Sequence, residues 1–314
     1  MNQRSMPRHE VWRLAYHKHR YCQHLSQSEL NRRIRDIFLT MLTLTPEAKI
    51  GAPPITPEGI RWFELWTHVL EEMALRFGPY PAGLSEEILH SEPFPDFAGD
   101  LTAKVATKLQ HLQSSNVFIK FGSPDYMLGL YERGAIRIQP ASYYRQPNFN
   151  GAIRDDELAL DVSLHLNRDA IVKMVSNPED IPASQQSERL DINFASMTDY
   201  WLYCVTTDVG PRLFIDFEAQ ACVVIKDLKR FTRMIQQAVA SKVSQAQFRS
   251  GAVTYIDPVL PCVTSIDVPM SKHFRYTHQH EHRFIWLPRE PAASLTYLDV
   301  ELGSLKDCAE LIFV

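Results

Sequence analysis

The stretch Ser271–Pro288, SKHFRYTHQHEHRFIWLP, gathers Lys272, His273, Arg275, His278, His280, His282 and Arg283 around one acid, Glu281. It then runs into a β-prone apolar tail, Phe284-Ile285-Trp286-Leu287, stopped by Pro288. A strand whose entrance carries one carboxylate among cations and rings reads as a site. Such a carboxylate stays ionised near neutral pH and can orient or stabilise a positive centre. The competing reading is a solvated strand end whose charges serve solubility.

The histidines raise a metal hypothesis. If residues 278–282 form a strand, His278, His280 and His282 share one face and Glu281 points to the other. Three imidazoles at that spacing can bind zinc. Metal histidines also need second-shell acceptors, and Glu281 is the one carboxylate nearby in sequence, so no metal is expected.

Outward from this stretch, 314 residues suffice for two ordinary domains or one large one. A hydrophobic share of 45% with 22% charged residues belongs to a globular chain, not a disordered one. A formal charge of −4 gives no global pull toward nucleic acid, so any polyanion contact needs a local basic patch. Five dispersed cysteines (Cys22, Cys204, Cys222, Cys262, Cys308) with no CxxC pair fit neither a disulfide framework nor a cysteine zinc site. They suit a reducing cytoplasm. The start, MNQRSMPRHEVW, has basic residues but no apolar core behind them, so no signal peptide is expected. No window approaches 18 apolar residues, so no membrane contact is expected.

Residues 1–115 read as helical. Leu30, Ile34, Ile37, Phe38, Met41 and Leu42 recur at helical spacing. Thr56-Pro57-Glu58 offers a cap, a proline at the first helical position and an early acid. Ile60 to Phe77 then carry an apolar stripe that Gly78-Pro79 ends. A third helix is expected over Asp100–Leu112. Trp62 and Trp66, one turn apart, read as core rather than as a ligand platform. This half carries no recognisable chemistry and reads as an accessory or docking domain for a protein partner.

The pattern changes at Asn116. Strands are expected at Val117–Phe121, Ala135–Ile138, Trp201–Thr206, Leu213–Phe217, Ala221–Ile225 and Ala252–Ile256. Two more should lie at Thr296–Val300 and Leu311–Val314. Helices should follow Ser123-Pro124 and cover Leu228–Val243. Residues 160–200 read as a strand with a polar excursion, Asn177–Arg189. Residues 116–314 thus form an α+β domain with a mainly β core.

Nucleotide-binding glycine loops, a Gly-x-Ser-x-Gly elbow and a His-Glu-x-x-His helix are all absent from the sequence. Asp155-Asp156-Glu157 could hold a divalent ion, but three adjacent acids cannot all face one ion, and a charged loop is expected. Tyr143-Tyr144-Arg145 can stack on a ring and pin a phosphate, or form a tyrosine corner with Arg145 exposed. Cys204 reads as an interior structural cysteine.

In order, these pieces are Phe118-Ile119-Lys120-Phe121, Gly134-x-Ile136-Arg137-Ile138, Ser142-Tyr143-Tyr144, Arg154-Asp155-Asp156-Glu157-Leu158, Tyr203-Cys204-x-Thr206, Val253-x-Tyr255-x-Asp257-Pro258 and Lys272…Tyr276-x-x-x-x-Glu281-x-Arg283-Phe284. The order resembles a group of bacterial domains ending in a Lys…Tyr…Glu-x-Arg strand. Those domains are similar to the ADP-ribosyltransferase superfamily, including its DNA-modifying toxin branch. The resemblance covers about residues 116–314. It implies a split-sheet domain that uses NAD as substrate and needs no metal. It further implies transfer of ADP-ribose to a nucleic-acid or protein acceptor, as a toxin or phage-defence effector. Carried over by position, Lys120 meets NAD, Tyr143 or Tyr144 stacks on nicotinamide, Thr206 is the central-strand hydroxyl and Glu281 the catalytic acid. Tyr144 and Arg145 join Glu281 as catalytic candidates, and Gln279 and Arg283 join Lys120, Tyr143 and Thr206 as NAD contacts. Lys120 stands where that superfamily usually has Arg or His. Gln279-His280-Glu281 matches its Gln-x-Glu form. The readings that compete with this one are a catalytically inactive nucleotide- or partner-binding module and a metal-dependent nuclease.

Overall fold

A computed structural model describes all residues other than 1–5, 45–48, 54, 81, 92–97, 113–115, 168–186 and 262–264. Most of the polar excursion expected at 177–189, and Cys262, lie outside the described residues. The first half is helical: α1 (Arg8–Lys18), α2 (Gln27–Met41), α3 (Pro57–Phe77), α4 (Leu84–Ser91) and α5 (Ala98–Leu109), with a two-residue ladder between β1 (Thr43–Leu44) and β2 (Ile50–Gly51). Ser26 and Glu29 form a reciprocal capping box that starts α2. Leu30, Ile34, Ile37 and Met41 then bury on one face, as their spacing dictates. In α3 the Thr56 hydroxyl accepts from the Gly59 amide at 3.1 Å, and Leu65, Val69 and Met73 form the buried stripe. Trp62 stacks on Phe274 at 5.6 Å and Trp66 packs on Phe38 at 5.3 Å, so both indoles serve packing.

The second half is α+β with a mainly antiparallel sheet. In chain order it contains β3 (Phe118–Gly122), α6 (Pro124–Arg133), β4 (Ala135–Pro140), β5 (Ala159–Asn167), β6 (Ser187–Ala195), β7 (Trp201–Thr206), α7 (Arg212–Asp216) and β8 (Ala221–Ile225). Then follow α8 (Leu228–Ala240), β9 (Gln247–Ala252), β10 (Thr254–Ile256), β11 (Ser271–His273), β12 (Glu281–Leu287), β13 (Leu298–Glu301) and β14 (Ala309–Phe313). β5 and β6 pair as a separate antiparallel ribbon, and β10 and β11 as a short parallel ladder.

The large sheet parts beside β7. One edge of β7 is paired along its length by β12, from Trp201↔Trp286 to Thr206↔Glu281. Its other edge is shared: β4 pairs with Trp201 and Leu202, β3 with Thr206. Tyr203, Cys204 and Val205 therefore face the opening between β3 and β4. β3 continues to β8 and β14, and β4 to β13. Alternation along β3 sends Phe118 into a core with α6 and α8, and Ile119 into a second core with α5 and α7.

Three expectations are corrected. Leu213–Phe217 is a buried helical turn, α7, because a short apolar run fits a buried turn as well as a strand. Ala252–Ile256 is broken at Val253, whose amide donates to the Glu281 carbonyl at 3.0 Å, so β9 and β10 belong to different ladders. The histidine run is not extended: Phe274–Gln279 is a 3-10 segment, and His280 adopts φ 42° before β12 starts. No helix among the described residues is long and apolar enough to cross a membrane.

Candidate functional site

A cavity of about 220 Å³ opens where the sheet parts. β3 supplies Lys120, β7 supplies Cys204 and Thr206, and the 3-10 turn at Ala141–Arg145 supplies Tyr144. β11 supplies Lys272, the turn before β12 supplies Gln279, and the first residue of β12 is Glu281. Lys120, Tyr144, Thr206, Gln279 and Glu281, singled out from sequence, thus meet on one wall set. Tyr143 packs instead on Phe149 and Tyr144 at 5.1 and 5.7 Å between ring centres. Arg145 is exposed and donates to Asp156 at 2.6 Å. Arg283 lies behind Glu281 with no exposure, where it can touch the acid but no ligand.

The opening in the sheet explains Lys120. A strand carbonyl without a neighbouring strand needs another donor. The Lys120 ammonium donates to the Cys204 carbonyl at 2.8 Å and lies 4.7 Å above the Tyr203 ring. Burial pushes its pKa down, with Cys204 and Glu281 opposing. This lysine bridges the gap as much as it faces the cavity.

Glu281 is not solitary. Its Oε1 accepts from Arg283 Nε at 2.5 Å and its Oε2 from Lys272 Nζ at 3.0 Å. Lys272 Nζ also stands 3.6 Å from Glu157, and Arg283 Nη2 touches Glu157 Oε2 at 2.5 Å without hydrogen-bond alignment. Two buried cations thus face two buried carboxylates, with half-buried Asp155 adding its field to both. Burial alone would raise Glu281, but Arg283 and Lys272 outweigh it and hold the carboxyl well below the usual range. Burial prevails at Glu157 and Asp155, which are raised. Lys272 is raised because Glu281, Glu157 and Asp155 together outweigh its burial.

Local hydrogen bonds fix the acid's position. The Tyr255 hydroxyl accepts from the Glu281 amide at 2.8 Å. Thr206 Oγ1 donates to the Gln279 carbonyl at 2.6 Å, and Gln279 Nε2 donates to the Ala152 carbonyl at 2.8 Å. The arrangement is a rigid, ionised carboxylate at the floor of a mainly apolar hole. It can stabilise a developing positive charge or hold a polar ring.

The histidines separate. His278 lies 3.0 Å from Asp216, His280 is exposed, and His282 contacts Ser250 at 2.9 Å and Phe118. Among the described residues, no group of three or more His, Cys, Asp or Glu is placed to hold a metal ion. Sequence reasoning overlooked Glu157, expected within a charged loop; Cys204 packs as the interior cysteine expected, with burial pushing its thiol up. Glu157 had a signal: Lys272 and Arg283 on one buried segment require more than one acid. Compared with family models, curated proteins and solved structures, the chain matches none.

Proposed function

We propose that the cavity is the reaction site of an NAD-dependent ADP-ribosyltransferase-like enzyme on a split-sheet domain. The observation that carries the reading is the meeting of Glu281, Tyr144, Thr206, Gln279 and Lys120 at the parting of the sheet. At about 220 Å³ the hole falls below the roughly 300–1,000 Å³ of clefts that enclose a whole drug-sized ligand. It therefore takes the nicotinamide–ribose end, with Tyr144 against the ring and the remainder outside. In the reaction the bond from ribose C1′ to the nicotinamide nitrogen breaks with its electron pair going to nitrogen. Neutral nicotinamide leaves, and the ionised Glu281 faces the cationic sugar carbon. An acceptor lone pair on a nucleic acid or protein then forms the new C1′ bond, and its proton passes to solvent.

The test is nicotinamide release from NAD with candidate acceptors, repeated with Glu281→Gln. A fall of about 10²-fold or more in turnover is expected on neutralising that charge. Turnover unchanged by the substitution would exclude the mechanism. A second reading, binding without turnover, is favoured by the engagement of both Glu281 oxygens with Lys272 and Arg283. Saturable NAD binding in calorimetry, with no nicotinamide released under any acceptor, would select it.

A further inference from the structure

Beside the Glu281 cavity lies a groove of about 800 Å³, and Ala152 lines both. Its walls come from α2, the loop 150–154, α7 and the turn before β12. They carry Arg32, Arg35, Arg154, Arg212 and Arg275 against Asp36 and Asp216. Arg212 is committed, donating to Asp216 and to the Leu39 and Leu42 carbonyls at 2.8–3.1 Å. Arg32 and Arg154 are exposed, and among the described residues neither side chain has an ion-pair or hydrogen-bond partner. Arg275 lies 4.6 Å over the Tyr276 ring and donates to its hydroxyl, which holds the guanidinium at the groove, with Asp36 and Asp155 adding their fields.

A concave cluster of five arginines against two acids, with Arg32 and Arg154 uncommitted, is a local inversion of sign on a chain of net charge −4. Like charges brought together repel, and the cluster gains a favourable counterpart when an anion enters. Planar guanidinium forks match phosphate oxygens better than any other side chain. The extent of the cluster also limits the ligand. The adjoining hollow over β5 and β6 shares Arg32, Asp36 and Arg275 with the groove and adds Glu29, Asp155, Asp156, Asp161 and Asp191. Its other two arginines are committed, Arg33 to Asp257 and Arg189 to Glu29 and Asp191. Acids outnumber arginines on that side, so a long polyanion extending from the groove meets a net negative wall that a compact anion held at the arginines does not have to cross.

We propose that this groove binds a compact diphosphate-bearing ligand, a free nucleotide or the pyrophosphate of a dinucleotide, gripped by Arg32, Arg154 and Arg275. The helical half, through α2, thereby supplies part of a small-molecule site. The assignment rests on the groove alone and holds whether or not Glu281 turns a ligand over.

The experiment is calorimetry on the full chain with inorganic pyrophosphate, ADP, NAD and a short single-stranded oligonucleotide. Saturable binding of pyrophosphate and ADP is expected, weakening as salt rises. The double variant Arg32→Ala/Arg154→Ala should lower ADP affinity at least about tenfold, since two charge-assisted contacts are lost. Both side chains are exposed, so its melting temperature should match that of the parent. Glu281→Gln should leave pyrophosphate affinity unchanged, which separates this site from the chemistry proposed at the cavity. Binding of NAD but not ADP or pyrophosphate would place the affinity in the cavity and overturn the proposal. So would ADP affinity unaltered in the double variant. An oligonucleotide that binds more tightly than ADP, and is lost in that variant, would replace the small ligand by nucleic acid.

Discussion

At residue scale the decisive side chain is Arg283. It is fully buried and touches both Glu281 and Glu157. Removing one partner of such a group leaves uncompensated charge in the interior, which costs about 3–5 kcal/mol. Arg283→Ala should therefore lose about that much stability in urea unfolding. An unchanged midpoint would show that the two acids are neutral without it. The sequence made Glu281 legible because a carboxylate at the entrance of an apolar strand stands out. Its cations Lys272 and Arg283 were legible beside it, but Glu157 only indirectly, through the need of two buried cations for a second acid, because it arrives from a distant loop that packing turns inward. Arg145 illustrates the opposite error: beside two tyrosines it reads as a ligand contact, yet Asp156, eleven residues further on, takes it.

At the scale of elements, long periodic segments and strongly apolar strands could be read directly. α2, α3, β7, β8 and β12 follow from spacing, caps and apolar runs. Leu213–Phe217 reads as a strand and is a helical turn, since three buried apolar residues carry no period to tell the two apart. The start of β12 was hidden for another reason. Its 3-10 approach is fixed by distant partners such as the Tyr276 hydroxyl, which donates to the Arg154 carbonyl at 2.8 Å. One terminator is both local and tertiary: Gly134 ends α6 at φ 64°, and a Cβ there would lie 2.5 Å from the Gly303 carbonyl oxygen. Gly134→Ala should thus destabilise by about 2 kcal/mol or more, combining left-handed backbone strain with a backbone clash. Thermal melting checks this. A loss no larger than an ordinary surface substitution would mean that the Leu302–Gly303 segment moves aside freely.

For the whole molecule, protonation of half-buried and buried imidazoles works against the fold in acid. Burial is the largest cause lowering His24, His68, His165, His273, His278 and His282, with His273 reaching about 3. Below about pH 6.5 the unfolded chain takes up protons that these native rings refuse, so stability falls as pH drops. His273 alone contributes a slope of about 1.4 kcal/mol per pH unit between about 6.5 and its native value. Urea midpoints measured from pH 7 to pH 5 should decline steadily, and a flat profile would show that the rings are already charged in the native state. The two halves are also tied by a buried pair, Arg33 Nη1 and Nη2 to Asp257 at 2.7 Å each. Its bidentate form was invisible in sequence, since nothing local links α2 to a loop so far along the chain.

The turn Phe274–Gln279 has two clients. On one side Phe274 stacks on Trp62, and the Arg275 carbonyl accepts from Thr40; on the other, Gln279 walls the cavity and positions the strand that begins at Glu281. The helical half is therefore a poor candidate for exchange with an unrelated head: grafting or truncating it would unseat the same six residues that aim the acid.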